Sequence, residues 1–381
     1  MSDNTKKAVN WSNSIFMVST LLVTLTAVPY YVWNHGVDLF QGVLFFLYYI
    51  ATGLSITLGY HRLFSHRAFK AKWPVKFSTL VFGAAAFENS ALNWADDHRR
   101  HHKFVDHDED PYDATKGFFH SHIGWILFDS GPDKFEHVGD LKKDRLVMWQ
   151  HDNYLSIAVF AGLLLPALIG LAWGGWMCAL GSFLLAGVAR VVTVHHFTFL
   201  INSLCHMLGS QPYSTKNTAR DSAITAVLTF GEGYHNFHHT FQHDYRNGIK
   251  PWHFDPTKWT VAVLNKLGLV DSLRRVPDEK IMQARIAEQQ RRLALKIDSK
   301  PMAIAEPIMA RIHAAQEKLE TTYQNWEKLE AEYTRAVEKK WEESKEKFAE
   351  VQQEFNEARE HFRQAIKEWQ ETHQLALAQF A

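Results

Sequence analysis

The sequence predicts an all-α integral membrane protein: four transmembrane helices, a globular helical part on the cytoplasmic side, and a C-terminal helical coiled-coil extension. Three observations carry this reading. Apolar runs close to the roughly 20 residues that a bilayer requires recur four times before residue 201. Lysine and arginine gather on alternate flanks of those runs. From Ile308 to Ala381 there is no Gly and no Pro, and large apolar residues return every seven positions.

The first span runs from about Ser14 to Trp33 and the second from about Leu39 to Tyr60. The third runs from about Leu155 to Ala172 and the fourth from about Trp176 to Leu200. The connectors Asn34–Asp38 and Trp173–Gly175 are short and carry no Lys or Arg. Lys6 and Lys7, then Arg62, Arg67, Lys70, Lys72 and Lys76, then Lys142, Lys143 and Arg145 occupy the other flanks. Positive charge is retained on the cytoplasmic side, so both termini are expected there. The N-terminus lacks a signal-peptide shape, so the first span is read as retained.

The apolar stretch Val75–Leu92 is read as an interfacial or half-buried helix, because a fifth crossing would separate its two polar flanks. Arg190 falls inside the fourth span. A mid-helix charge costs about 2.5–3.5 kcal/mol on insertion scales, so this side chain is expected to face a polar interior or to snorkel. Residues 245–275 read as loop and short helices that end a first domain, 1–275; a second, charged helical domain covers 276–381. In the second, Ile312, Leu319, Trp326 and Tyr333 form a heptad stripe. It resumes after one skipped residue at Trp341, Phe348, Phe355, Phe362 and Trp369. The interruption near Lys339 and Lys340 permits either a long rod or an antiparallel hairpin. Oligomerisation or partner docking is the role such helices would serve.

Composition removes other classes. Lys plus Arg and Asp plus Glu both number 41, a net charge of zero that argues against bulk nucleic-acid binding. Two cysteines, Cys178 and Cys205, cannot build a disulfide framework or a cysteine zinc site.

The chemistry lies in nine of the 22 histidines. They form four clusters beside the apolar runs: His61 and His66; His98, His101 and His102; His206; and His235, His238 and His239. The two trios have i, i+3, i+4 spacing, so on helices each presents its imidazoles on one face, and two such faces make a cage. His61 and His66, five apart, suit a helix end running into a turn. Asn202, four residues before His206, faces the same way and can hold a water or a metal. Neutral imidazole is the commonest metal ligand, and nine are too many for one ion. Ligand type alone admits Zn, Cu, Fe or Ni; redox-inert zinc needs no such box, and iron with oxygen uses all of it.

These clusters carry specific flanks. Gly59-Tyr60-His61-Arg62-Leu63-Phe64-Ser65-His66, Trp94–Lys103, Asn202–His206 and Gly231-Glu232-Gly233-Tyr234-His235-Asn236-Phe237-His238-His239 resemble the Δ9-type membrane fatty acyl-CoA desaturases. The resemblance covers about residues 15–275 and includes Asp110-Pro111, Gly117–Trp125 and Gln211-Pro212-Tyr213. It implies four membrane helices under a cytoplasmic helical cap that encloses two iron ions and a bent acyl tunnel. His61, His66, His98, His101, His102, His206, His235, His238 and His239 would bind the irons, with Asn202 binding through water. Trp94 and Thr198 would shape the bend; Asn89 and Asp97 would lie near the acyl-CoA head or tunnel mouth, with Trp125 beside them. The implied reaction uses O2 to insert a cis double bond, at Δ9 by analogy, into a saturated long-chain acyl-CoA, with no protein acid or base.

Departures from the pattern are informative. Animal members commonly carry Arg where this chain has Asp96, which puts contacts to the CoA phosphates in doubt. No His-Pro-Gly-Gly haem motif occurs, so electrons are expected from a separate ferredoxin, rubredoxin or cytochrome b5 type donor with its reductase. A hydroxylase, a desaturase of lipid-bound acyl chains, and a metal-binding membrane scaffold are the competing readings.

Overall fold

Helix α1 (Trp11–His35) starts where the Asn10 side chain accepts the Asn13 amide and stops at Gly36, whose φ of 73° no other residue adopts as readily. Ile15, Leu22, Leu25 and Trp33 face outward, and Tyr31 is the buried residue, so this helix presents apolar surface all round. The coordinates are a computed structural model that describes residues 8–128, 135–297, 302–338 and 345–379. The interruption at Lys339 and Lys340, Trp341, and the basic residues Lys6 and Lys7 lie outside the described residues.

The chain divides into two compact units, Met1–Pro277 and Asp278–Ala381. Among the described residues of the first, three helical stretches are long and apolar enough to cross a membrane: Trp11–His35, Leu39–Ser65 and Tyr154–Met207. The third is not straight. Gly174 and Gly175 leave helical geometry, Gly175 at φ 76°, and the arms fold back on each other. A Cβ on Gly170 would lie 2.4 Å from Ser182 Oγ, so glycine permits the close crossing.

Helix α2 (Leu39–Leu54) begins with a capping box between Asp38 and Gln41. It continues as a π-wound segment, Ser55–Ser65, all of it buried. The pair His61 and His66 does stand at a helix end running into a turn, with His66 as the cap and Arg67 at φ 51°, but the winding ahead of it has widened from α to π. Winding with i to i+5 bonds turns residues five apart toward one another, and the His66 amide donates to the His61 carbonyl at 3.0 Å.

Val75–Leu92 is two elements rather than one helix. Helix α3 (Trp73–Ala85) has 13 residues, about 20 Å, too short for a hydrocarbon core of about 30 Å. The chain then turns through Phe87 and Asn89, at φ 61° and 72°. Helix α4 (Ala91–Phe104) restarts with Ser90 as its cap. Arg190 explains the break. Fully buried, it does not snorkel; it donates to the carbonyls of Ala85 at 2.6 Å, Gly162 at 2.7 Å and Ala186 at 3.0 Å. His195 Nε2 lies 2.8 Å from the Ala86 carbonyl and 3.1 Å from that of Phe87. One arginine thus joins the end of α3 to both arms of the hairpin.

The core of this unit centres on Tyr60, Phe64, Leu80, Leu92, Val147 and Val261. A two-residue antiparallel ribbon, Lys70–Ala71 with Val270–Asp271, pins the end of the unit beside the π-wound segment.

The second unit holds helices Asp278–Ile297, Met302–Glu338 and Lys345–Gln379. Trp326 stacks on Phe362 and Tyr333 on Phe355, so the two long helices run antiparallel as a hairpin. Ile312, Leu319, Trp326, Phe362 and Trp369 of the heptad stripe are buried, and Ile286 of the shorter helix closes over the same core.

Candidate metal centre

Four chain segments meet in one histidine cluster. The π-wound segment brings His61 and His66, α4 brings His98, His101 and His102, the end of the hairpin brings His206, and the short helix His235–Thr240 brings the last three. The rings form two groups: His61, His66, His98, His102 and His238, and His101, His206, His235 and His239. Within each group the candidate ligand atoms lie within 4.8 Å of one another. Each trio is thus divided between the groups, rather than serving as one wall of a single cage.

The Nε2 atoms converge. His66 and His98 Nε2 are 2.8 Å apart, His61 and His238 3.0 Å, and His102 and His238 3.0 Å. In the second group the separations are 3.1 Å for His206 and His235, 3.1 Å for His235 and His239, and 3.3 Å for His101 and His239. Adjacent ligands held at about 2.1 Å from one ion stand about 3.0 Å apart.

Outward-facing partners decide which ring nitrogen keeps its proton. His101 Nδ1 lies 2.8 Å from Asp110 and His61 Nδ1 2.8 Å from Glu232. His206 Nδ1 lies 2.8 Å from Thr218 Oγ1, whose hydroxyl donates to Asp106 at 2.6 Å, so the ring must donate. Each partner turns an Nε2 lone pair inward. Lone pairs so close repel unless a cation lies between them, and the donor set therefore fits metal.

Electrostatics agree. Burial, then the neighbouring rings, holds His66, His98, His102, His235, His238 and His239 well below the ordinary imidazole value, so they stay neutral and able to ligate. Burial pushes the Glu232 carboxyl up, but Arg62 and His61 outweigh it and hold it below its usual range. Arg62 also pairs with Asp255 at 3.0 Å, a buried network behind the ligands. The outer partners Glu232, Asp110, Asp106 and Thr218 were not singled out from sequence, although Glu232 and Asp110 stand within the motifs that carry the resemblance.

The groups open on a cavity of about 600 Å³. Asn89, Trp94, Asp97, Trp125, Thr198 and Asn202 all line it, beside His61, His98 and His235. Trp94 stacks on His98 with ring centres 4.8 Å apart, which joins the cavity wall to a candidate ligand. Asn202 ends its helix, and a break at Ser203 separates it from His206; the four-residue spacing does not lie on one helix as expected. Asp96 is buried and accepts the His137 amide at 2.9 Å, whereas Asp97 lines the cavity and pairs with Arg100.

Sequence reasoning missed Glu88. Its carboxylate accepts from Trp94 Nε1 at 3.3 Å and Thr198 Oγ1 at 2.8 Å, joining the two residues expected at the bend. Burial raises it to about 7, against which those two hydrogen bonds work. No spacing signal marks it, because its partners are 6 and 110 residues away.

Apolar spans, a buried histidine cluster able to hold metal, and an adjoining cavity define a helical integral membrane protein of the metal-dependent kind. Residues 39–262 match the family model described as fatty acid desaturase. The chain belongs to the fatty acid desaturase family. It is 45% identical over 248 residues to a probable acyl-CoA desaturase of Schizosaccharomyces pombe, covering 64% of this chain and 51% of that protein. It is 37% identical over 300 residues to acyl-CoA desaturase 1 of Saccharomyces cerevisiae, covering 77% and 57%. It is 36% identical over 273 residues to an sn-1 stearoyl-lipid 9-desaturase of a Synechocystis strain, covering 70% and 81%. The chain thus spans about half the length of the two yeast proteins.

Proposed function

We propose that this protein inserts a cis double bond, at Δ9, into a saturated long-chain fatty acyl-CoA, using O2 and two iron ions. The observation that carries the reading is the convergence of nine imidazoles, in groups of five and four, beside a cavity of about 600 Å³. His61, His66, His98, His102 and His238 would hold one iron, and His101, His206, His235 and His239 the other, with Asn202 acting through water. Bound iron supplies the oxidising power that removal of hydrogen from an unactivated methylene requires.

The protein's own part is position. Glu232, Asp110 and the Asp106–Thr218 pair fix ring orientation. Trp94, stacked on His98 and tied through Glu88 to Thr198, fixes the cavity wall against the ligands, so one stretch of a bound chain lies beside the centre. Asn89, Asp97 and Trp125 belong to the same wall and serve as contacts toward the acyl-CoA head and mouth.

In this proposal the hairpin arms cross the bilayer separately, giving four spans, with both termini and the centre cytoplasmic. Residues 1–275 form the desaturase domain under a helical cap, and 276–381 a coiled-coil extension for self-association or partner docking. A separate ferredoxin, rubredoxin or cytochrome b5 type protein, with its reductase, delivers electrons. A second reading, action on lipid-bound acyl chains, draws on the likeness to the Synechocystis stearoyl-lipid 9-desaturase.

Supplying purified holoprotein with O2, a reduced ferredoxin, rubredoxin or cytochrome b5 type donor, and either stearoyl-CoA or stearoyl phospholipid, and locating product double bonds by mass spectrometry, tests the proposal. Expected is a Δ9 product from the CoA ester. His101→Ala and His238→Ala, one from each group, are each expected to lower bound iron and abolish product; full activity in either overturns the assignment.

A further inference from the structure

The helix Pro256–Lys266 is apolar on two opposite faces. Thr257 and Val261 are buried against the protein, whereas Trp259, Val263 and Leu267, four apart, face outward at 43%, 56% and 67% exposure. A helix that faced water would carry polar residues there. Trp252, just before it, is 75% exposed. Single exposed apolar residues are ordinary, but a row of them marks a covered surface.

Hydrogen bonds set the depth of this row. Thr257 Oγ1 lies 2.7 Å from Thr57 Oγ1, in the π-wound end of the second span, and donates to the Phe230 carbonyl at 3.0 Å. Tyr49, eight residues earlier on that span and so about 12 Å away, donates to the Leu228 carbonyl at 3.1 Å. The short helix Ala223–Leu228 stands there, with Ile224 and Val227 80% and 55% exposed. The apolar surface of the span therefore continues onto both short helices. Its rim is cationic: Lys250 sits over the Trp252 ring at 5.3 Å, and Lys266 is exposed at the far end. Tryptophan and lysine are the side chains that suit the headgroup layer of a bilayer.

We propose that Pro256–Lys266, with Ile224, Val227 and Trp252, lies flat in the boundary between headgroups and acyl chains, a lipid anchor that does not cross. It does more than hold the surface. Asp255 caps this helix through the Lys258 amide at 2.9 Å, and the same carboxylate pairs with Arg62, which holds Glu232 behind His61. The anchor thus sets the height of the histidine cluster above the hydrocarbon. The inference rests on the membrane setting of the spans and is independent of the reaction.

The test places a nitroxide on Val263→Cys, and separately on Leu267→Cys, in full-length protein in nanodiscs of phosphatidylcholine and phosphatidylglycerol. Native Cys178 and Cys205 are buried and escape labelling. Leu25→Cys on α1 gives the lipid reference and Lys143→Cys the water reference. Expected at both test positions is access to oxygen and shielding from a water-soluble nickel chelate, as at Leu25→Cys. Chelate access equal to that at Lys143→Cys overturns the proposal, and so does shielding from both reagents, which marks a protein cover instead.

Discussion

At the scale of single residues, the imidazoles were visible in the sequence and their supports were not. A ligand cluster announces itself by repeated spacing, whereas Asp110, Glu232 and Thr218 each act through one contact that only folding creates. Asp110→Asn keeps shape but weakens the hold on the His101 tautomer; iron affinity is expected to fall about 10–100-fold, as outer-shell changes at metal sites do. Metal titration of the apoprotein measures it, and unchanged affinity contradicts the role. Glu88 offers a second check. Its carboxyl is raised from 4.5 to about 7 by burial in the fold. Below about pH 4.5 both folded and unfolded chains hold the proton. Between that and about pH 7 only the folded chain does, so stability falls as pH rises and the full cost is present above pH 7. Glu88→Gln removes this dependence. Its stability relative to the parent should rise between about pH 5 and about pH 8, by about 3 kcal/mol at most. Thermal unfolding at the two pH values reads the difference, and an equal gap at both counts against an ionisable Glu88.

At the scale of elements, length and periodicity were legible while winding was not. The apolar runs marked the spans, and the Trp173–Gly175 connector coincides with the observed break at Gly174 and Gly175. His61 and His66 looked mismatched because α-helical spacing was assumed; a π-wound segment needs no signature residue, only a fold that rewards it. The stretch Val75–Leu92 looked like one helix because composition stays apolar through the turn. What ends α3 is Arg190, 105 residues from the carbonyl it takes at Ala85. Arg190→Met should leave the Ala85 and Gly162 carbonyls without donors, at about 1–3 kcal/mol each. Unfolding in detergent is expected to show the loss, together with weaker iron retention as α4 loosens. Parent-like stability would mean that the arginine is not what joins α3 to the hairpin.

At the scale of the whole molecule, the two units carry different obligations. All nine histidines lie in Met1–Pro277, and Asp278–Ala381 has its own core around Trp326, Phe362 and Trp369. The 278–381 fragment expressed alone should therefore be helical and melt cooperatively by circular dichroism; a gradual, uncooperative loss of helicity would show that it borrows stability from the rest. The heptad stripe was legible because large apolar residues return every seven positions, but the choice between rod and hairpin turned on cross-helix pairs such as Tyr333 with Phe355. The six-residue helix His235–Thr240 carries a further consequence, for the chain as it is made. Before that helix docks, one group has four of its five ligands and the other two of its four. Docking completes both at once. Neither group can be completed by a nascent chain that stops short of residue 238, so the two sites reach their full ligand sets only once the last chain segment has joined the other three.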